Sequence, residues 1–142
     1  MPPAPQVRGV LETCLYASDL AAADRFYADV IGLEAFQRVA GRHVFFRCGS
    51  GVLLVFDPAR TSAEPGSVGG APIPPHGSTG AGHVAFAVPE AELDVWHAHL
   101  AARGVEIESE VRWPRGGRSI YVRDPAGNSV EIAAEGIWGV TK

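Results

Sequence analysis

The sequence predicts an α+β fold made of two βαβββ units in tandem. Two observations predict it. Residues 41–47 (GRHVFFR) recur as residues 117–123 (GRSIYVR), and upstream residues 11–15 align with residues 82–86, each ahead of a helix-like segment. A repeated supersecondary unit places equivalent strands at equivalent positions of a pseudo-symmetric fold. We therefore expect a curved, mostly antiparallel sheet that forms a cup, with the helices outside it.

The elements of the first unit each have a local signal. Alternating side chains predict a strand over 9–17. Ser18 and Asp19 are suitable N-caps for a helix over about 19–31, and Gly32 is a suitable stop. Three further strands are predicted near 34–39, 43–48 and 51–56.

The second unit repeats this order. A strand is predicted over 82–88, and Pro89 suits the first position of a helix that ends at Gly104. Three strands follow near 105–111, 118–123 and 128–134. We therefore define the domain as 9–135, with its two units at 9–56 and 82–134.

The stretch between the units, residues 57–80, does not repeat and is rich in glycine and proline. It must carry the chain from the end of one unit to the start of the next, so it is a linker. Long connections inside compact domains also serve as lids over binding sites. We keep a lid as a second hypothesis for this segment.

Bulk properties exclude several classes of partner. The 142 residues suit one domain, and a net charge of −4 with a pI near 5.7 argues against nucleic acid. No apolar run approaches the roughly 20 residues that a membrane span needs. Residues 1–5 lack the features of a signal peptide, and Cys14 and Cys48 are expected to be reduced. These points predict a cytoplasmic protein without a membrane partner.

Strand alternation sends Glu12, His83 and Glu131 to the cup side of the sheet, because alternate positions such as Leu15 and Ile132 are apolar and should face the helices. Carboxylates on such a face are costly unless they are paired or bind a cation. One imidazole and two carboxylates suit a divalent first-row metal. The alternative is structural: Glu12 would pair with an arginine such as Arg47 or Arg123, and His83 would make one core hydrogen bond.

The same alternation predicts the walls of a substrate pocket. The third strand of each unit contributes an aromatic side chain and an arginine to the cup side. Two further candidates are a linker histidine, which could close over the cup, and a tryptophan in a Gly-rich turn; a solvated loop is the alternative for both. The predicted pocket residues are His43, Phe45, Arg47, Tyr121, Arg123, Trp113 and His76.

The chain resembles the vicinal oxygen chelate superfamily, the group of glyoxalase I, bleomycin-resistance proteins and extradiol dioxygenases. The resemblance rests on residues 12–20 (ETCLYASDL), Gly82-His83-Val84, and residues 123–128 (RDPAGN) ahead of Glu131. It implies metal ligands at Glu12, Val55, His83 and Glu131. Because valine cannot coordinate a metal, three ligands remain.

The resemblance also implies a divalent metal ion (Fe²⁺, Mn²⁺, Zn²⁺ or Ni²⁺), a small-molecule substrate and a homodimer. It predicts a lyase, isomerase or dioxygenase that chelates a small oxygenated metabolite through the metal, with Glu131 as a catalytic residue. The alternative is a metal-free protein of the bleomycin-resistance type, which sequesters a drug or metabolite in an aromatic cavity.

Overall fold

The chain folds into two βαβββ units in the computed structural model, which describes residues 1–64 and 66–139. The first unit consists of β1 (Glu12–Tyr16), α1 (Leu20–Arg25), β2 (Glu34–Val39), β3 (His43–Cys48) and β4 (Gly51–Phe56). The connection contains α2 (Pro58–Ala63) and the short hairpin β5 (Ser67–Val68) and β6 (Ala71–Pro72). The second unit consists of β7 (His83–Val88), α3 (Leu93–Ala102), β8 (Ser109–Arg112), β9 (Arg118–Arg123) and β10 (Ser129–Ala134).

The strands form two four-stranded sheets with the same topology. Their strand orders are β1-β4-β3-β2 and β7-β10-β9-β8. In each sheet the first and last strands of the unit pair in parallel, and the other two pairs are antiparallel. The predicted fold class, an α+β fold of two repeated units with curved, mostly antiparallel sheets, is thus confirmed.

Both predicted helices form, but each contains a segment that is not α-helical, a π-helical turn over Phe26–Val30 in the first and a 3₁₀ turn over Glu90–Glu92 in the second. Asp19 caps α1, and its carboxylate accepts a hydrogen bond from Ala22 N at 3.0 Å. The segment predicted as one helix then widens into a π-helical turn over Phe26–Val30. The chain leaves this turn at Gly32, whose φ of 83° is in the left-handed region that glycine adopts readily.

A single hydrophobic core joins the two units. It contains side chains from one face of each sheet and from α1 and α3, with Tyr27, Phe46, Leu100 and Ile132 fully buried. Tyr27 Oη donates a 2.7 Å hydrogen bond to Asp124 in the β9–β10 turn, and so links the first helical segment to the second unit. The opposite face of each sheet is left to form the cup.

The register of the strands corrects one predicted correspondence. Glu12 pairs with Val52 in the first sheet, and His83 pairs with Ser129 in the second. Two residues further along, Leu54 is therefore the counterpart of Glu131. The predicted match of Val55 with Glu131 is wrong.

The reason for the shift is the length of one turn. Four residues separate the paired residues Arg47 and Val52, whereas five separate their counterparts Arg123 and Ser129. One extra residue moves every later side chain to the other face of a strand. Accordingly Val55, which pairs with Leu15, is 1% exposed and lies in the core.

The linker is more structured than its composition suggests. Helix α2 begins with Pro58 and is capped by Asp57, whose carboxylate accepts a hydrogen bond from Ala59 N. Past the short hairpin, the chain returns to α2, where His76 N bonds to the Thr61 carbonyl. Within the described residues, no helix has the length and apolar character that crossing a membrane requires.

Candidate metal and substrate site

Glu131 is a buried carboxylate on the cup face of the second sheet. It lies in β10 between the buried core residues Val130 and Ile132, and it is only 6% exposed. One of its oxygens, Oε2, accepts a 2.5 Å hydrogen bond from Ser119 Oγ on the neighbouring strand β9. The other oxygen, Oε1, lies 3.3 Å from His83 Nε2. The structure therefore brings two of the three predicted metal ligands together.

Both ring nitrogens of His83 face hydrogen-bonding groups. Nδ1 lies 3.2 Å from the carbonyl oxygen of Ser129 and 3.2 Å from its hydroxyl. With the ring proton on Nδ1, that nitrogen donates to the carbonyl and the lone pair of Nε2 faces Glu131. With the proton on Nε2, that nitrogen donates to Glu131 and the Ser129 hydroxyl donates to Nδ1.

In the first tautomer, Nε2 of His83 and Oε1 of Glu131 are two electron-pair donors that a bound cation can join. Two ligands bound at about 2.1 Å to one metal ion lie about 3.0–3.4 Å apart. The observed 3.3 Å fits that spacing, so this donor set suits a divalent metal.

Glu12 does not join this pair within one chain. Across residues 1–64 and 66–139, no three His, Cys, Asp or Glu side chains lie close enough together to hold a metal ion. Glu12 is exposed near the start of the sheet, and Cys14, two residues later, lines a cavity of about 90 Å³ beside His83.

The two arginines that could have paired with Glu12 are engaged elsewhere. Arg47 Nε lies 3.9 Å from Glu34, and its guanidinium stacks over the Phe36 ring at 4.7 Å. Arg123 Nε donates to Glu108 at 3.0 Å, and a second nitrogen donates to the Gly127 carbonyl.

The cup face of the first sheet is aromatic. His43 stacks on Phe45 with ring centroids 3.9 Å apart, and both contact Phe56 edge-on. His76 comes from the linker, packs on Phe56 at 4.7 Å and shares a 2.7 Å hydrogen bond with Tyr16 Oη. The linker thus covers part of this face.

His43 is unusual within that aromatic group. Its Nε2 is 3.0 Å from Gln37 Oε1, while its buried Nδ1 is without a hydrogen-bond partner among the described residues. Burial, together with the nearby Arg42 guanidinium, lowers the pKa of His43 below its ordinary value. The ring therefore favours the neutral form.

The cup face of the second sheet carries Tyr121 and Trp113. Tyr121 stacks near His83 with centroids 6.4 Å apart, and burial followed by the charge of Glu131 raises the pKa of its phenol. Trp113 and Trp138, with centroids 6.1 Å apart, line a cleft of about 450 Å³ that also includes Arg115. Of the predicted pocket residues in this unit, Tyr121 and Trp113 thus lie next to the Glu131 group.

Arg123 lies elsewhere. Its contacts hold it against the β9–β10 turn, and it lines a separate cleft of about 330 Å³ with Phe26, Glu106 and Glu108. Its place on the strand is on the cup side, as predicted, but its guanidinium is taken by Glu108. Arg123 was predicted to line the substrate pocket, but in the structure it stabilises the β9–β10 turn.

Sequence reasoning missed three residues of this site. Leu54 was hidden by the one-residue turn insertion, and Trp138 follows the last strand, beyond the repeat. Ser119, two residues before Tyr121 on the same face of β9, was not among the predicted site residues, although it donates to Glu131. In the antiparallel pairing of β9 with β10, Ser119 lies across from Ala133, so Ser119 is a diagonal neighbour of Glu131. This pairing could have indicated the contact between Ser119 and Glu131.

Residues 9–132 match the family model of the Glyoxalase/Bleomycin resistance protein/Dioxygenase superfamily. The match covers most of the chain, and the chain therefore belongs to this superfamily.

Solved structures support the same assignment. The chain is similar to a lactoylglutathione lyase from Agrobacterium tumefaciens, with 44% identity, a TM-score of 0.86 and coverage of 99% of this chain and 100% of that one. It is also similar to a glyoxalase/bleomycin resistance protein/dioxygenase from Nocardioides, at 25% identity and a TM-score of 0.69, over 92% and 85% of the two chains. A glyoxalase/dioxygenase from Nostoc punctiforme shares the fold at 24% identity and a TM-score of 0.67, over 94% and 96%.

Proposed function

We propose that the protein is a divalent-metal-dependent enzyme of the glyoxalase type, which acts on a small molecule with two adjacent oxygen atoms. The observation that carries the proposal is the contact between His83 Nε2 and Oε1 of the buried Glu131 carboxylate, 3.3 Å apart. A buried carboxylate is costly to the fold unless it is paired or binds a cation. A metal ion bound in a catalytic site would offset the cost of burying this carboxylate.

His83 and Glu131 would hold the metal, and Glu12 would supply the third ligand. Glu12 has the same position in the first unit that His83 has in the second. Because it lies outside the His83–Glu131 group in one chain, we expect the Glu12 of a second copy to complete the site in a homodimer. When bound, the metal ion, Fe²⁺, Mn²⁺, Zn²⁺ or Ni²⁺, would act as a Lewis acid on the substrate oxygens.

The residues of the chain would supply the rest of the chemistry. The Ser129 carbonyl can accept the Nδ1 proton of His83, which would leave Nε2 to bind the metal. Tyr121, whose raised pKa keeps the phenol protonated, can donate a hydrogen bond near Glu131. The cleft between Trp113 and Trp138 offers space of about 450 Å³ for the remote part of a substrate, with Arg115 available to an anionic group.

A lyase reaction is the favoured class. The 44% identical relative is described as a lactoylglutathione lyase, and the two chains match over nearly their full lengths. In this chain Leu54 occupies the position that a fourth ligand would need. We therefore propose the reaction class, a lyase, and define the substrate only as a small molecule with two adjacent oxygen atoms.

The aromatic face of the first unit favours a second candidate. His43, Phe45 and Phe56 form a stacked surface, and His76 covers part of it. Such walls suit a metal-free protein that sequesters a planar drug or metabolite. This function would not require the buried Glu131, which is why we place it second.

The experiment that tests the proposal starts from protein purified without chelator and measures its metal content by elemental analysis. Metal-free protein is then titrated with Mn²⁺, Zn²⁺ and Ni²⁺ by calorimetry and assayed for turnover of lactoylglutathione and related vicinally oxygenated compounds. Stoichiometric metal binding with metal-dependent turnover supports the enzyme. Tight binding of an aromatic compound that is the same with and without metal would instead support sequestration.

A further inference from the structure

Hydrogen bonds link three side chains in a row that ends at Oε2 of Glu131, the oxygen that faces away from His83. Trp113 Nε1 lies 2.9 Å from Ser119 Oγ, and Ser119 Oγ lies 2.5 Å from Glu131 Oε2. Ser119 is fully buried, and Glu131 is nearly so. Trp113 directly follows β8, so the three residues come from three neighbouring strand segments of one sheet.

The chemistry of these groups fixes the direction of both hydrogen bonds. The indole N–H of Trp113 is a donor and never an acceptor, so it must donate to Ser119 Oγ. Ser119 has one hydroxyl proton, and the remaining partner is the Glu131 carboxylate. The hydroxyl therefore donates to Oε2, and the chain runs one way, from Trp113 through Ser119 to Glu131.

We propose that Ser119, oriented by Trp113, is a positioning residue that limits Glu131 to binding a metal ion through Oε1 alone. The proposal rests on the proposed function, since it concerns how the same site would hold its metal. Oε2 is occupied by the serine proton, while Oε1 points to His83 Nε2. A carboxylate otherwise binds metal ions through one or both oxygens.

Rotation of Glu131 to offer both oxygens would break this arrangement. Oε2 would leave Ser119, and a buried hydroxyl proton would lose its acceptor in a place closed to water. The Trp113 N–H holds the serine oxygen on the other side. These two hydrogen bonds would thus leave only Oε1 of Glu131 to bind a metal ion.

The test compares the holoprotein with Ser119→Ala, Ser119→Thr and Trp113→Phe after loading with Co²⁺, whose visible absorption weakens as the coordination number rises. Ser109→Ala is the matched control, since Ser109 is an exposed serine on the same sheet. Folding of each variant is checked by circular dichroism. In Ser119→Ala we expect Glu131 to bind through both oxygens, and the molar absorptivity of the Co²⁺ bands to fall because the coordination number rises.

The other variants separate positioning from packing. Ser119→Thr keeps the hydroxyl and should retain the wild-type spectrum. If the extra methyl group of threonine prevents folding, Trp113→Phe is the deciding variant. It removes the N–H that orients the serine, so it should shift the spectrum in the same direction as Ser119→Ala. A Ser119→Ala spectrum identical to that of the wild type would overturn the proposal. If the wild type itself binds no Co²⁺, the proposed function fails, and the positioning role falls with it.

Discussion

Glu131 of the second unit and Leu54 of the first occupy equivalent positions on their sheets. In the second unit Ser129 pairs with His83, and Glu131 follows Ser129 by two residues. In the first unit Val52 pairs with Glu12, and Leu54 follows Val52 by two residues. Leu54 is buried but lies outside the hydrophobic core, as expected for the cup face. The pseudo-symmetric pair of His83 and Glu131 is thus Glu12 and Leu54, and one potential ligand has been replaced by a hydrocarbon.

This equivalence predicts that Leu54→Glu adds a metal ligand. The new carboxylate would stand to Glu12 as Glu131 stands to His83 in the other unit. We expect metal affinity to rise on the order of tenfold, because an added anionic ligand strengthens binding to a divalent cation. Calorimetric titration of metal-free protein with Zn²⁺ and Mn²⁺ measures the effect, and Leu54→Gln is the uncharged control. Equal affinities for all three proteins would contradict the assigned register.

Val55→Glu should have a different result. Val55 lies in the core, opposite Leu15, and is 1% exposed. A carboxylate there would be an unpaired buried charge, and we expect a loss of about 3–5 kcal/mol in the free energy of unfolding. Urea denaturation of Val55→Glu beside Leu54→Glu tests which residue faces the cup. A Val55→Glu protein as stable as the wild type would show that Val55 faces solvent.

The sequence was sufficient for the fold but not for every register. The repeat at 41–47 and 117–123 predicted the unit order, and strand alternation predicted which face of β3 is buried, since Val44 and Phe46 lie in the core. The error at Val55 arose because an alignment without gaps cannot detect a one-residue change in turn length. Pairing between strands, which the sequence does not encode locally, was needed to place it.

The site was predictable in part for a related reason. His83 and Glu131 are in one sheet, and their contact follows from strand pairing and alternation. Glu12 belongs to the other sheet, so its distance from them depends on how the two units pack. The contact between Tyr16 and His76 depends on the path of the linker, for which no periodic pattern exists.

Glu131→Gln separates the two candidate functions. It keeps the size of the side chain and removes the charge, so metal affinity should fall by at least about 100-fold, given that even indirect partners of metal ligands contribute 10–100-fold. Turnover should be lost with it, whereas binding of an aromatic compound to the walls of the first unit should persist. Glu135→Gln, an exposed glutamate just after β10, is the control. Metal binding unchanged by Glu131→Gln would sink the metal enzyme.

Tyr27→Phe should weaken the fold without changing the metal site. Tyr27 is fully buried, and its hydroxyl donates to Asp124, a carboxylate that also accepts hydrogen bonds from the backbone of Ala126 and Asn128. Burial, followed by the charge of Asp124, raises the pKa of Tyr27, so the phenol remains a donor. Loss of this donor should reduce the free energy of unfolding by about 1–3 kcal/mol. Chemical denaturation measures the loss, and a Zn²⁺ affinity that fell in parallel would contradict a purely structural role.

His43 should make the stability of the protein depend on pH. Burial, and then the Arg42 guanidinium, lowers the pKa of His43 in the folded state, while Gln37, Phe45 and Phe56 offer it no negative charge. The unfolded chain therefore binds more protons at this residue than the folded chain. The stabilising contribution of the neutral His43 is fully present above its ordinary pKa of 6.5. It is lost as the pH falls below 6.5 towards the lowered pKa of the folded state.

His43→Phe keeps a ring on Phe45 and cannot titrate, so its free energy of unfolding should decline less than that of the wild type between about pH 7 and pH 5. Denaturation series with chelator present measure both curves. Parallel curves for the wild type and His43→Phe would show that this histidine is as easily protonated in the folded protein as in the unfolded chain.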